Sequence, residues 1–381
     1  MRFALSILVC LLTVDGASAQ PSQVQGGPED TVAFREAVGR SRQALSEWQT
    51  GNHVAGASVA VAIDGRIVWS EGVGWADLEL GVKATPHTRF RIGSVSKMFA
   101  AVALMRLVES GRVDLDAPVH RYLPDFPQKS WPITLRQLAN HTSGLRHYRN
   151  ADFAPDAPIG RNAHFLTDRE ALTVFEQDPL DFEPGTRSLY STYAYSLLAA
   201  ALGAAAGTSY QQVVHDLVTQ PLGLRTVGAD HPYDLVPDRS RVYVYRDDLG
   251  RTIHAAFSDS SYKWAGGGYL ASSEDLVRFM SALTQPGLLS ASALDQMFTP
   301  QRLADGAPAT SGAAPVGIGW RVDVDENGRR RFHHGGSLTG GGAIVMTLRD
   351  ERVSVAILSN QLPRPTEALA AQIADGFAAV R

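Results

Sequence analysis

Strand-forming sequence lies at both ends of this chain, and helical periodicity dominates its long middle. Near the amino end, "GASVAVAID" and "RIVWSEGVGWAD" are joined by Asp64-Gly65, a strong hairpin signal. Towards the carboxyl end, "GIGWRVDVD", "RRRFHHGG", "AIVMTLRD" and "RVSVAILSN" return to strand patterns. The sequence therefore predicts an α/β fold of the α+β type. An antiparallel sheet built from both termini is flanked by helices, and a helical lobe is inserted at about residues 99–300.

The amino end is typical of an export signal rather than of a folded segment. Arg2 precedes an apolar run that ends near Val14, and a small-residue A-x-A cleavage pattern closes at Ala19. The run is shorter than the roughly 20 residues that a membrane-spanning helix needs. We expect a signal peptide over residues 1–19 and a linker over residues 20–29, and therefore a periplasmic or secreted protein.

The remaining residues, 30–381, are predicted to form one domain, and 44% hydrophobic content suffices for a substantial core. A net charge of −4 gives no general attraction to nucleic acid or to an anionic membrane. The one cysteine, Cys10, lies in the signal segment, which excludes disulfides, thiolate metal sites and a cysteine nucleophile from the mature chain. No H-E-x-x-H sequence occurs, and we expect neither a metal nor a cofactor.

The stretch "SVSKMFAAVALMRLVESG" combines a serine and a lysine with a helix that has the composition of a buried element. Apolar residues occupy nearly every side from Ser96 to Ser110, and Gly111 is a suitable stop. Ser94 and Lys97 are three positions apart and therefore neighbours on one face. A lysine held away from water has a lowered pKa and can take the proton of a serine. The alternative is a capping serine beside a lysine that extends to solvent.

Two further segments carry polar groups next to buried elements. In "FEPGTRSLYSTYAYSLLAAALGAAAG", a Pro-Gly turn precedes Tyr190 and a helical run follows it. The phenol of Tyr190 either packs in the core or relays a proton in a cleft. In "RFHHGGSLTGGGAIVMTL", a strand with histidines continues into glycines, which permit the close approach of a ligand or backbone, or simply form a bulge.

Together the three segments resemble the serine β-lactamase and penicillin-binding protein family, whose signature is S-x-x-K, Y-x-N and K-T-G or H-T-G in that order. Here they read "SVSK" from Ser94, "YST" from Tyr190 and "HGG" from His334. The phrases "TRFRIGSVSK", "QLANHTSGLRHY", "EPGTRSLYST" and "WAGGGYLASSEDLVRFM" extend the resemblance over nearly the whole mature chain. It is most similar to the class C β-lactamase-related group of esterases, D-amino-acid peptidases and mitochondrial β-lactamase-like proteases.

The resemblance implies a catalytic mechanism that is also chemically reasonable. Ser94 would attack a carbonyl to form an acyl-enzyme, Lys97 and Tyr190 would shuttle its proton, and water would release the acyl group. The backbone amides of Ser94 and Ser337 would form the oxyanion hole. The implied substrate is a small-molecule ester, a peptide or a cell-wall-derived compound.

Two positions of the substrate-binding side, Thr192 and Gly335, depart from the family pattern. Thr192 replaces the usual asparagine, and a hydroxyl cannot supply both the carbonyl and the amide hydrogens of that side chain. Gly335, followed by Gly336, removes the threonine hydroxyl offered near a substrate carboxylate. His334 would bind or polarise substrate, but it carries a positive charge only when it is protonated. His333 replaces it in this role if the strand register shifts by one residue. We therefore expect an ester or peptide hydrolase rather than an efficient β-lactamase.

Other interpretations remain open or are disfavoured on specific grounds. The α/β-hydrolase pentapeptide G-x-S-x-G is missing from the sequence. The polar segment "NHTSGLRHY" is interpreted as a structural loop, although His141 or Arg146 could touch substrate. Two alternatives to an esterase or peptidase are a β-lactamase or D-alanyl-D-alanine carboxypeptidase, and a binding or assembly protein that has kept the fold without turnover.

Overall fold

The computed structural model describes residues 31–381. The predicted signal peptide (1–19) and nearly all of the sequence before the first helix, including the predicted linker (20–29), lie outside the described residues. Among the helices of the described part, none combines the length and the hydropathy that a bilayer crossing requires.

The two helices predicted after Ser94 and after Tyr190 are present, as Ser96–Glu109 and Thr192–Ala206. The helices of the described part are α1 (Val32–Gly51), α2 (Ser96–Glu109), α3 (Leu135–Ala139), α4 (Asp168–Ala171), α5 (Thr192–Ala206), α6 (Tyr210–Val214), α7 (Trp264–Gly267), α8 (Ser273–Ser281), α9 (Ala291–Phe298) and α10 (Glu367–Ala378).

The strands occur at both ends, as predicted, and short ones also interrupt the helical middle. They are β1 (Gly56–Ile63), β2 (Arg66–Asp77), β3 (Val82–Lys83), β4 (Phe90–Arg91), β5 (Gly228–Ala229), β6 (Tyr243–Arg246), β7 (Arg251–His254), β8 (Tyr269–Ala271), β9 (Thr310–Ser311), β10 (Ala314–Pro315), β11 (Arg321–Val324), β12 (Arg330–Leu338), β13 (Gly341–Leu348) and β14 (Val353–Ser359). Strands as short as β5 and β8 give too little alternation to be predicted from sequence.

One seven-stranded antiparallel sheet joins the two ends of the chain, in the order β11-β12-β13-β14-β1-β2-β3. The hairpin between β1 and β2 turns at Asp64 and Gly65, which both have positive φ, as the sequence predicts. The predicted antiparallel sheet built from both termini is therefore confirmed. The boundaries of the helical lobe, about residues 99–300, remain a prediction.

The sheet separates two apolar cores, and alternation along its central strands determines which side chain enters which core. On β13, Val345 belongs to the core shared with α2 and α5, whereas Ile344 and Met346 belong to the core shared with α1 and α10. Helix α2 has buried side chains on nearly every side, as its composition predicted. It is therefore a rigid support for the residues at its amino end.

Candidate active site

Ser94 lies in a tight turn that connects the short strand β4 to helix α2. The turn spans Gly93–Val95 and runs directly into the helix, so the sequence "RIGSVSK" is strand, turn and helix in succession. Gly93 has a φ of +51°, and a β-carbon there would lie 2.6 Å from the backbone nitrogen of Ser337. Glycine is required here because a side chain would meet both a strained φ and the neighbouring strand.

Lys97 is in the first turn of α2, and its side chain is fully buried. Its Nζ lies 3.1 Å from Oγ of Ser94 and 3.4 Å from Oγ1 of Thr192, and it donates a hydrogen bond to the carbonyl oxygen of Gly266. The structure therefore brings the serine and the lysine together, and the lysine does not extend to solvent.

The surroundings of Lys97 favour its uncharged form. Burial has the largest effect, and the positive charges of Lys263 and Arg321 add to it, so that the pKa of Lys97 is held well below its ordinary value. A lysine with a lowered pKa is more often a neutral amine, and the neutral amine is the form that accepts a proton.

Tyr190 lies just before α5, which begins at Thr192 with Ser191 as its cap. The Nζ of Lys97 is 4.8 Å from the centroid of the Tyr190 ring. Burial raises the pKa of Tyr190 to about 12, and a hydrogen bond with the side chain of Ser94 opposes that rise. The phenol thus lies beside both the serine and the lysine, and it stays protonated at neutral pH.

Two histidines of "NHTSGLRHY" pack against Tyr190, and this arrangement was not predicted from the sequence. The ring centroid of His141 is 4.4 Å from that of Tyr190, and the ring of His147 meets the same tyrosine edge-on at 5.5 Å. The amide of Ser191 donates to Nδ1 of His141, and the amide of Thr192 donates to Nδ1 of His147, each at 3.2 Å. The histidines therefore satisfy amides at the start of α5.

Both histidines are neutral in this arrangement. A ring nitrogen that accepts an amide hydrogen carries none itself, so the hydrogen of each ring is on Nε2. Burial is the main cause that lowers the pKa of His141 well below its ordinary value and that of His147 to about 4, and the charges of Arg321 and Lys263, respectively, act in the same direction.

Strand β12 packs directly on the turn that carries Ser94. A β-carbon on Gly336 would lie 1.9 Å from the carbonyl oxygen of Ile92 and 3.1 Å from the backbone nitrogen of Ser94. No side chain fits in that space. The amides of Ser94 and Ser337, the predicted oxyanion hole, are therefore held on facing segments of the same contact.

The register of β12 separates the two adjacent histidines. His334 faces the site, with its ring centroid 6.4 Å from that of Tyr190. His333 faces the opposite side, where Nε2 is 3.4 Å from Asp323 and Nδ1 is 3.9 Å from Glu367. Of the two residues that the sequence left open, the structure brings His334, and not His333, to the other site residues.

His334 is buried and uncharged. Its Nδ1 is 2.7 Å from the carbonyl oxygen of Gly335, and since a carbonyl only accepts, Nδ1 carries the hydrogen and Nε2 is left as an acceptor. Burial, followed by the charge of Arg321, holds the pKa of His334 well below its ordinary value. The first position of the third motif, which is lysine or histidine in the family signature, therefore has no positive charge here.

Two of the three predicted substrate-binding positions, Thr192 and Gly335, are covered by neighbouring groups. Thr192 is only 3% exposed, and its hydroxyl faces Lys97. A β-carbon on Gly335 would lie 2.7 Å from Cζ of Arg364, so the guanidinium occupies the space of the missing side chain. Contacts of Thr192, Gly335 and Gly336 with a substrate remain predictions.

Two cations near the site were also missed from the sequence. Lys263 stands directly before the glycine-rich segment "WAGGG" (264–268), which contributes the carbonyl of Gly266. This adjacency is the one sequence signal that could have identified Lys263. Arg321 is the first residue of the edge strand β11, and it lines a small cavity with His141 and His334. No local pattern could indicate this, because the contact depends on how the strands pair.

"NHTSGLRHY" is also a structural loop, as the sequence suggested. Gly144 has positive φ, and Arg146 forms ion pairs at 2.7 Å with Asp152 and Asp178. Within residues 31–381, no three metal-ligating side chains are grouped to hold a metal ion.

The chain is similar to known proteins over most of its length. The family model described as Beta-lactamase matches residues 40–379. The mitochondrial serine beta-lactamase-like protein LACTB of Homo sapiens is 29% identical over 423 residues, covering 88% of this chain and 76% of that protein. Esterase EstB of Burkholderia gladioli is 32% identical over 362 residues, covering 84% of this chain and 88% of the esterase.

A solved structure shows the same likeness in three dimensions. The D-stereospecific amidohydrolase from Streptomyces sp. superposes with a TM-score of 0.73 at 27% sequence identity, covering 88% of this chain and 97% of that one. Since the family model spans most of the chain, and these relatives are similar over most of their own lengths, the chain belongs to the Beta-lactamase family and is a serine hydrolase.

Proposed function

We propose that this protein hydrolyses ester or peptide bonds through an acyl-enzyme on Ser94. The observation that carries the proposal is the 3.1 Å contact between Oγ of Ser94 and Nζ of a fully buried Lys97. Lys97 acts as the base, Tyr190 relays the proton to the leaving group, and the amides of Ser94 and Ser337 stabilise the oxyanion.

The contacts of Lys97 fit a neutral amine. Such an amine has two hydrogens and one lone pair. The carbonyl of Gly266 and the hydroxyl of Thr192 take the two hydrogens, which leaves the lone pair for the hydroxyl hydrogen of Ser94. This assignment makes Ser94 the donor and Lys97 the acceptor before attack, as general base catalysis requires.

Several features favour esters or peptides over β-lactams and D-alanyl-D-alanine termini. His334 is neutral, Gly335 has no hydroxyl, and Thr192 faces inward rather than towards a substrate amide. The esterase and amidohydrolase relatives support ester and amide substrates. The proposed substrate is a small ester, a peptide or a cell-wall-derived compound.

We also propose that the protein is exported to the periplasm or secreted. The support is the apolar run after Arg2 and the small-residue pattern that ends at Ala19. Cell fractionation of the full-length chain and amino-terminal sequencing of the recovered protein test this. Recovery in the cytoplasm with residues 1–19 still attached would contradict it.

A fluorophosphonate probe followed by intact mass measurement tests the nucleophile. The wild-type protein should gain one adduct that Ser94→Ala lacks, whereas a non-catalytic binding protein should gain none. Ser96→Ala is a matched control, because Ser96 is two residues away and its Oγ is already engaged with the Gly93 carbonyl and the Tyr269 amide. An adduct that persists in Ser94→Ala would contradict the assignment.

Turnover of a small panel then distinguishes the substrate classes. We expect hydrolysis of p-nitrophenyl esters or of D- or L-amino-acid peptides, with little hydrolysis of nitrocefin. Nitrocefin turnover as fast as that of the best ester would favour the β-lactamase alternative.

A further inference from the structure

A half-buried cation without an acceptor lies beside the nucleophile. Lys263 is half-buried, and its Nζ lies 5.1 Å from the ring centroid of Tyr262 and 5.7 Å from that of Tyr148. In residues 31–381 no hydrogen bond or ion pair holds this ammonium. Aromatic faces attract a cation only weakly compared with an anion, so part of its lost hydration is uncompensated.

The side chain of Lys263 runs towards the turn that carries Ser94. A β-carbon on Gly267 would lie 3.5 Å from the carbonyl carbon of Gly93 and 3.7 Å from Cδ of Lys263. The aliphatic part of Lys263 is therefore separated from Gly93, the residue before Ser94, by about the width of one methyl group at Gly267. The charge acts on Lys97 and His147, whose pKa values it lowers.

Three other basic groups near Ser94 have oxygen atoms as hydrogen-bond partners or are uncharged. Arg321 donates to Oγ of Ser311 at 3.1 Å, and Lys97 is surrounded by three oxygen atoms. His334 is neutral because burial lowers its pKa. Lys263 is thus a cation in the described part of this site that no hydrogen-bond acceptor or carboxylate holds, and it can receive an anion.

We propose that Lys263 binds an anionic group of the substrate, so that the enzyme prefers esters or amides that carry a negative charge. This inference rests on the proposed function, because a charge at Lys263 affects turnover only if Ser94 is the nucleophile. Its position beside the glycine-rich segment, rather than on β12, makes it a binding group separate from the three sequence motifs.

The experiment compares matched neutral and anionic substrates on the same enzyme preparation. One pair has the charge in the acyl group: p-nitrophenyl hexanoate and the p-nitrophenyl monoester of adipic acid. A second pair has it in the leaving group: phenyl hexanoate and p-carboxyphenyl hexanoate. The readout is the ratio of kcat/KM for the anionic substrate to that for the neutral one, with the rate of Ser94→Ala subtracted as background.

Lys263→Met should lower this ratio by roughly tenfold to a hundredfold in one of the two pairs, the range expected for one hydrogen bond to a charged group. Lys263→Arg should keep most of the ratio because it keeps the charge. A change in the pKa of Lys97 affects both substrates alike and cancels in the ratio, as does any loss of folded protein.

Lys83→Met is the control for the loss of one positive charge, because Lys83 is exposed on β3 at the far edge of the sheet from β11. It should leave the ratio unchanged. In the wild type, added salt should lower the ratio, since exposed and half-buried charges are screened.

Unchanged ratios in Lys263→Met for both pairs, with turnover still dependent on Ser94, would overturn this inference and leave the proposed function intact. Equal loss for neutral and anionic substrates would also overturn it, because Lys263 would then act on the catalytic groups rather than on the substrate. Turnover that does not depend on Ser94 would overturn both.

Discussion

Burial moves the pKa values of Lys97 and Tyr190 in opposite directions, and both shifts favour uncharged side chains. The lysine loses its proton more easily because its pKa is lowered, and the phenol keeps its proton at neutral pH because its pKa is raised to about 12. A neutral amine beside a neutral phenol is a base and an acid ready for use at the same pH. In the proposed mechanism, burial therefore prepares Lys97 and Tyr190 for proton transfer without a carboxylate.

Replacement of Lys97 tests this account at the residue scale. Lys97→Ala should slow acylation by roughly a hundredfold to ten-thousandfold, the usual range for a positioned acid or base. Lys97→Arg should be similarly slow, because a guanidinium keeps its charge and cannot accept the proton of Ser94. The measurement is the pre-steady-state rate of acylation by a p-nitrophenyl ester, with thermal melting to verify folding.

The pH dependence of wild-type kcat/KM has a sign that follows from the same argument. In the proposed mechanism only the neutral amine of Lys97 is active, so kcat/KM should rise with pH through the lowered pKa of Lys97 rather than near the ordinary lysine value. For the substitution above, a Lys97→Arg enzyme that keeps most of the wild-type acylation rate would show that Lys97 supplies a positive charge and does not accept a proton.

At the scale of elements, the site is a contact between the turn before α2 and strand β12. Gly93 and Gly336 allow the two backbones to approach, and each glycine lies against the backbone of the other segment. Helix α2 is fixed by burial on nearly every side, and β12 is fixed between β11 and β13. The distance between the two amides of the proposed oxyanion hole therefore depends on two rigid elements.

Gly336→Ala should separate these elements. The new methyl group would lie 1.9 Å from the carbonyl oxygen of Ile92, so β12 must move away from the nucleophile turn. We expect kcat/KM for an ester to fall by roughly a hundredfold, the cost of misplacing reacting groups by about 1 Å. The measurement is ester turnover together with the rate of fluorophosphonate labelling.

Gly228→Ala is the matched control for this change. Gly228 lies in β5, and a β-carbon there meets no atom within 4 Å. It should retain nearly wild-type turnover. Acylation by Gly336→Ala at the wild-type rate would show that the close approach of β12 is not needed for the oxyanion contact.

Local sequence could predict the parts of the site that depend on short-range geometry. The helix that places Lys97 one turn after Ser94 follows from spacing alone, and the alternation of β12 implies that His333 and His334 face opposite sides. His141 could not be placed in this way. Its position depends on a positive φ of 64° and on packing against Tyr190, which is remote in sequence.

At the scale of the whole molecule, one buried asparagine joins segments from both ends and from the middle of the chain. Asn360 follows β14 and is 1% exposed. Its Oδ1 accepts from the amide of Gly56, and its Nδ2 donates to the carbonyl of Trp75 and to Oγ of Ser240, all at 2.9 Å. Nothing in the local sequence indicates these contacts, because the partners are assembled only in the folded sheet.

Asn360→Ala should therefore destabilise the whole protein rather than the active site alone. Removal of the amide leaves buried donors and acceptors unpaired, and we expect the free energy of unfolding to fall by roughly 2–4 kcal/mol. Urea denaturation followed by tryptophan fluorescence measures this change. Gln43→Ala on the exposed face of α1, where Gln43 bonds only to Glu47, should change the free energy of unfolding by less than about 0.5 kcal/mol. If Asn360→Ala were as stable as this control, the three segments would be held together by the apolar cores alone, and the polar junction would contribute nothing to joining the two ends of the sheet.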